Sequence, residues 1–130
     1  SGAIADYTDA IKIDPNYADA YRNRGLAKVE MGDTSGAIAD WTKVIEIDPN
    51  DAIAYCNRGL AKVEMGDTSG AIADYTKAIE IDPNNARAYY NRGLAKDEIG
   101  NNFGAIADWT KAGELGYDKV WALIKEYTSD

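Results

Sequence analysis

The segment Ser35–Thr68 reads SGAIADWTKVIEIDPNDAIAYCNRGLAKVEMGDT, and the rest of the chain is built from it. It occurs before as Ser1–Thr34, identical at 27 of 34 positions, and after as Ser69–Asn102, identical at 25. A shortened fourth copy begins at Phe103. A constant period of 34 residues over nearly the whole chain marks one supersecondary unit used repeatedly. Such a unit buries its apolar side only by stacking on its neighbours.

Each copy reads as two helices. In residues 1–14, Ile4, Tyr7, Ala10 and Ile11 fall on one stripe at helical spacing, with Asp6, Asp9 and Lys12 off it. Pro15 ends this helix, because the residue before a proline is driven out of the α region. Asn16 is then placed to cap the next helix, which carries Ala20, Tyr21, Ala27 and Met31 over residues 17–31. Gly25, Gly59 and Gly93 lie inside that second type of helix, at a cost of about 1 kcal/mol each against alanine. Close approach of a neighbouring helix is the expected reason. Gly32 ends the helix in the left-handed conformation, and Asp33 or Thr34 starts the next.

Both ends depart from the pattern. After Trp109 and Ala112, the expected IDPN becomes Leu115, Gly116, Tyr117 and Asp118. A last helix then runs to about Thr128, with Val120, Leu123, Ile124 and Tyr127 on one side. It reads as the polar-faced terminal element that repeat arrays require. Trp121, on or beside its apolar stripe, reads as packing. Ser1 opens on the second helix of a pair and there is no initial methionine, so a fragment cut at a repeat boundary is expected.

Composition removes several function classes. The 130 residues carry a formal net charge of −8, which disfavours nucleic acid and anionic membrane surfaces. No apolar run approaches the ~20 residues of a membrane span, and no signal peptide is visible. A cytoplasmic location and no membrane insertion are therefore expected. Cys56 is the only cysteine and histidine is absent. No catalytic residues, metal ligands or cofactor-binding residues are expected, since no paired nucleophile and base, phosphate loop or metal cluster can be read. The Asp-Pro-Asn turns lack the ligand spacing of a calcium loop.

The segment Ala18–Asp51 resembles a tetratricopeptide repeat (TPR). The aromatic early in the first helix is met by Tyr21, Tyr55 and Tyr89, and the glycine four residues on by Gly25, Gly59 and Gly93. Small residues stand at Ala37, Ala71 and Ala105, aromatics at Trp41, Tyr75 and Trp109, and small residues again at Val44, Ala78 and Ala112, the valine being slightly large. The closing proline is met by Pro49 and Pro83 and absent from the last repeat. The chain departs in two columns, with Arg24, Arg58 and Arg92 where many TPRs have leucine, and Lys28, Lys62 and Lys96 where many have tyrosine. The near identity of the copies resembles recently duplicated prokaryotic arrays or a consensus-like design.

The resemblance implies an all-α fold, a right-handed superhelical solenoid of antiparallel helix pairs, and a non-enzymatic protein-interaction scaffold. The divisions it implies are the second helix of a truncated repeat at 1–16, repeats at 17–50, 51–84 and 85–116, and a capping helix at 117–130. The first helix of each pair is expected to line a concave groove that binds a peptide or a segment of another protein. Its lining would be Asp19, Arg22, Asn23, Leu26, Val29 and Glu30, then Ile53, Cys56, Asn57, Leu60, Val63 and Glu64, then Arg87, Tyr90, Asn91, Leu94, Asp97 and Glu98. Differences between copies concentrate there, as in Asp19/Ile53/Arg87 and Arg22/Cys56/Tyr90. Variation confined to one face suggests a task that the fold does not dictate. Arg22, Asn57 and Arg87 stand near three columns of the two-carboxylate clamp of TPR chaperone adaptors, but Leu26 and Asn91 break two others. The apolar middle (Ile53, Leu60, Val63) fits aliphatic anchors better, and the rim of Glu30, Glu64, Asp97 and Glu98 favours basic flanks.

An arginine near a core demands a partner. The aspartates at 6, 40, 74 and 108 recur with the same period as Arg24, Arg58 and Arg92, so pairing is expected either backwards (Asp6–Arg24) or within a repeat (Arg24–Asp40). The alternative function is self-assembly into a homo-oligomer. The apolar side of residues 1–14 is uncovered, with Ile4, Tyr7 and Ile11 as the expected contact, stacking head to tail or closing a dimer.

Overall fold

The computed structural model describes residues 2–129, which form eight α-helices joined by short turns. They are α1 (Gly2–Ile13), α2 (Ala18–Glu30), α3 (Thr34–Ile47), α4 (Ala52–Glu64), α5 (Thr68–Ile81), α6 (Ala86–Glu98), α7 (Asn102–Glu114) and α8 (Val120–Thr128). Each helix packs on the next in sequence, and the tightest pairs are α2 with α3, α4 with α5, and α6 with α7. Helices α2, α4 and α6 stand beside one another on one side of the array, and α4 also touches α6.

Local sequence sets each boundary. Gly32, Gly66, Gly100 and Gly116 hold φ between +83° and +106°, the left-handed region that ends a helix without a Cβ penalty. Asp33, Asp67 and Asn101 then cap α3, α5 and α7 by accepting the backbone N–H of Gly36, Gly70 and Gly104. The other turn differs from the expectation that Asn16 caps α2. The backbone N–H of Asn16, Asn50 and Asn84 is taken by the carboxylate of Asp14, Asp48 and Asp82, each at 3.1 Å, in an Asx turn. The helix therefore begins one residue later. Asp51 and Asn85 cap α4 and α6, whereas Tyr17 at the same place gives α2 no side-chain cap.

The core is a succession of small and large residues between paired helices. Trp41, Tyr75 and Trp109 are almost fully buried, as are Ala37, Ala71 and Ala105 beside them. Each large ring presses on a helix glycine. A Cβ at Gly25, Gly59 or Gly93 would stand 2.8, 2.7 or 2.4 Å from the ring of Trp41, Tyr75 or Trp109. The expectation that these glycines permit close helix approach therefore holds. At the C-terminal end Trp121 lies against Gly113 in the same manner while remaining half exposed. Val120, Leu123 and Ile124 close the core under α8.

Between the hydrophobic layers runs a polar one, in which the arginines pair within a repeat. Arg24 grips Asp40 with Nε at 2.9 Å and Nη2 at 2.7 Å, and Arg58–Asp74 and Arg92–Asp108 repeat this two-pronged contact. The remaining Nη1 donates to Thr8, Thr42 or Thr76 of the preceding helix at 3.2 Å. Lys28, Lys62 and Lys96 reach the same carboxylates within 3.2 Å. The aspartates are only 3–4 % exposed. The column read in α1 as lying off the apolar stripe is thus interior wherever a preceding helix covers it. Hydrogen bonding to the aspartate raises each guanidinium pKa above its usual value, against burial, which lowers it.

Removing one partner leaves buried charge uncompensated, so Asp74→Ala is expected to cost about 3 kcal/mol in urea denaturation. Replacing the pair by apolar groups, Arg58→Met with Asp74→Leu, is expected to cost less than that single change. Gly59→Ala gains up to about 1 kcal/mol of helix propensity but forces Tyr75 to move, and a net destabilisation of about 1 kcal/mol is expected from the same measurement.

Candidate functional site

The inner helices α2, α4 and α6 bring Leu26, Leu60 and Leu94 into register, one per repeat. Leu26, Val29, Leu60, Val63 and Leu94 line a cavity of about 360 Å³, backed by Trp41 and Tyr75 and edged by Asn57, Asn91, Glu64 and Glu98. The three leucines stay 38–46 % exposed. A second, smaller cavity of about 170 Å³ is lined by Ile53, Cys56, Asn85 and Arg87, and shares Asn57, Leu60 and Asn91 with the first. The two are parts of one trough across the inner helices.

Most of the expected groove residues are brought together. Leu26, Asn57, Leu60, Val63, Asn91 and Leu94 line the larger cavity, and Ile53, Cys56 and Arg87 the smaller. Asp19, Arg22, Asn23 and Tyr90 line neither. Arg22 forms ion pairs with Asp19 and with Asp51 of the next helix pair, so its guanidinium is occupied and its pKa raised, chiefly by Asp51. Tyr90 packs on Tyr117 with ring centroids 4.8 Å apart, and its carbonyl receives Trp109 Nε1.

These contacts share a geometry that the sequence did not disclose. In the column Arg22/Cys56/Tyr90, each residue touches the start of the next unit: Arg22 the cap Asp51, Cys56 the cap Asn85, and Tyr90 the turn residue Tyr117. Asp51 uses one carboxylate oxygen to cap Ala54 and the other to accept from Arg22. Asn85 caps Ala88 through its oxygen and donates its amide to Cys56 Sγ at 3.5 Å. Variation in this column is matched by variation at 51 and 85, which gives it a packing reason. The signal available was that pairing of differences 29 residues apart.

The charged margin is acidic. Glu64 and Glu98 accept from Thr34 and Thr68 at 3.3 and 3.4 Å, and Asp97 accepts from the Tyr127 hydroxyl of α8 at 2.7 Å, which pushes that phenol's pKa up. Burial pushes the Cys56 thiol up despite the Asn85 hydrogen bond and the charge of Arg87, so it is held protonated at neutral pH. Among the described residues, no group of three or more acidic or cysteine side chains is gathered as metal ligands. No helix there is long and apolar enough to cross a membrane.

Comparison with known proteins bears on the fold. The family model described as TPR repeat matches residues 1–32, 25–66 and 59–100. A crystal structure of MamA superposes with a TM-score of 0.88 at 27 % identity, covering 93 % of this chain and 72 % of that one. The TPR domain of Arabidopsis OM64 is similar at 28 % identity with a TM-score of 0.79, covering 85 % of this chain and 92 % of that one. The second TPR of Spaghetti (RPAP3), bound to the HSP90 peptide SRMEEVD, is similar at 28 % identity with a TM-score of 0.73, covering 75 % and 91 %. No curated protein matches. The all-α architecture, the glycine-seated aromatics and the repeated sequence match place this chain in the TPR repeat family, as a right-handed solenoid of antiparallel helix pairs.

Proposed function

We propose that the chain is a non-enzymatic scaffold whose concave face captures a segment of another protein, held by aliphatic side chains and flanked by basic residues. The observation that carries this reading is the trough of about 360 Å³ floored by part-exposed leucines and edged by Glu64 and Glu98. Apolar anchors gain from leaving water there, and the acidic edge, in a chain of net charge −8, favours cationic flanks. The second TPR of RPAP3 is bound to SRMEEVD, a peptide with two glutamates and a terminal aspartate. In the present chain the larger cavity is edged by Glu64 and Glu98, and Arg87 lines the smaller one. A clamp built on Arg22, Asn57 and Arg87 is weakened, because Arg22 is already paired with two aspartates.

Sorting a displayed library of short peptides against the chain is expected to enrich aliphatic pairs flanked by Lys or Arg. Leu60→Asp should abolish that binding and leave the helical circular dichroism unchanged. Enrichment of acidic C-termini, with loss of binding on Arg87→Ala, would overturn the reading.

A second reading, self-assembly, is favoured by α1. Its side equivalent to the buried face of α3 is open, with Ala3 and Asp6 exposed and Tyr7 and Ala10 half-buried. Of the residues expected at that contact, Ile11 instead packs toward Tyr21, and Ile4 shares its stripe with Thr8, which Arg24 engages; Tyr7 is the one on the open side. Sedimentation equilibrium is expected to show mass rising with concentration if this reading holds, and a constant mass near 14.1 kDa excludes it.

A further inference from the structure

Where the trough passes between α4 and α6, its two ends carry opposite charge. On α6 the residues that line it fall at helical spacing, Arg87, Asn91, Leu94 and Glu98, from the first turn to the last residue. On α4 the corresponding stripe is Ile53, Asn57, Leu60 and Glu64. The leucines therefore hold the middle, Glu64 and Glu98 one end, and Arg87 the other. The rise of α6 from Arg87 to Glu98 sets these ends about 16 Å apart.

Neither charge stabilises the helix that bears it. A cation in the first turn and a carboxylate at the last residue both oppose the helix dipole. Arg22, Arg24, Arg58 and Arg92 all form ion pairs, whereas Arg87 is exposed and forms none among the described residues. At the equivalent place in α2, Asp19 is held by Arg22. Glu64 and Glu98 are exposed and each accepts a threonine hydroxyl. Lys62 and Lys96, half a turn back on the same helices, are held by Asp74 and Asp108 and do not neutralise them. The fold accounts for neither end, and a ligand with the opposite charges accounts for both.

We propose that the trough reads the order of charge on its ligand, a specificity that presupposes the aliphatic groove described above. The ligand is a protein segment with Lys or Arg against Glu64 and Glu98, an aliphatic pair over Leu60 and Leu94, and an Asp or Glu side chain against Arg87. That acidic side chain enters the cavity of about 170 Å³, where the amides of Asn57 and Asn91 stand beside the guanidinium and can also donate to it. A segment with two cations would set one of them against Arg87, and a segment with two anions would set one against the glutamates. Repulsion at the wrong end therefore selects as strongly as attraction at the right one.

The test uses three acetylated and amidated peptides, so that no terminal charge takes part. The first is Lys-Ala-Leu-Ala-Leu-Ala-Glu, whose alternate side chains face one way when extended and whose ends lie about 20 Å apart. The second has Lys at both ends and the third Glu at both. Each is titrated into the chain, with amide shifts giving affinity and place. The first is expected to bind about fivefold or more tighter than either other, with shifts at Arg87, Leu60 and Glu98. Arg87→Glu, an exposed change, should weaken the first peptide about tenfold and turn the preference to the two-lysine peptide. Equal affinity for all three peptides, or a preference unmoved by Arg87→Glu, overturns the charge order. If Leu60→Asp still abolishes binding in that case, the aliphatic groove itself stands. Absence of saturable shifts with every peptide overturns both. Binding that demands a free C-terminal carboxylate overturns the charge order too, as do concentration-dependent shifts at Leu60 without peptide, because the occupant is then a chain terminus or a second copy.

Discussion

Asp40, Asp74 and Asp108 are carboxylates taken almost wholly out of water, and the array is arranged to satisfy them. An isolated buried carboxylate costs several kcal/mol, which only close opposite charge and hydrogen bonds offset. Each receives two guanidinium hydrogen bonds from the helix before it and an ammonium one turn further along that helix. The guanidinium's third arm reaches a threonine in the helix before that, so one side chain ties three successive helices. Thr8 and Thr42 turn their own hydroxyl protons to the carbonyl four residues back, which leaves the oxygen free to accept. Apolar stacking between pairs would tolerate some sliding. This polar layer does not, because its bonds are directional and any slip strands a buried charge.

The glycines and aromatics follow from the same closeness. A helix near enough for Arg58 to reach Asp74 is near enough for Tyr75 to lie on the α4 backbone, and only glycine at 59 leaves room for it. With large rings filling the interior, the leucines of α2, α4 and α6 are left on the inner face, part-exposed in a shared trough. The groove is thus a by-product of how the core is closed, and its chemistry is set by what the fold leaves unpaired. Arg22 and Tyr90 are removed from it by contacts to the next unit, while Arg87, Asn57 and Asn91 remain. At α1, where no earlier helix stands among the described residues, Asp6 is exposed and Tyr7 half-buried.

How much of this was legible in the chain differs by level. The eight helices follow from a period of 34, from glycines that must be left-handed, and from Asp-Pro-Asn turns, all local properties of a few residues. The start of α2 lies one residue beyond Asn16, whose amide Asp14 claims in the turn. The leucines of the groove were legible from family columns. Arg22 was not, because the carboxylate of Asp51 that occupies it lies in the next unit.

The sequence by itself determined the unit, its repetition, the need for close helix approach at Gly25, Gly59 and Gly93, and the requirement that each arginine find a carboxylate. It did not determine which carboxylate. Arginine and aspartate recur with one period, so pairing backwards or within the repeat leaves an identical pattern along the chain. The tertiary structure decided it: stacking brings Asp40, not Asp6, within 2.7–2.9 Å of Arg24. Periodicity fixes what is repeated, whereas only the packed distances fix which neighbour each side chain meets.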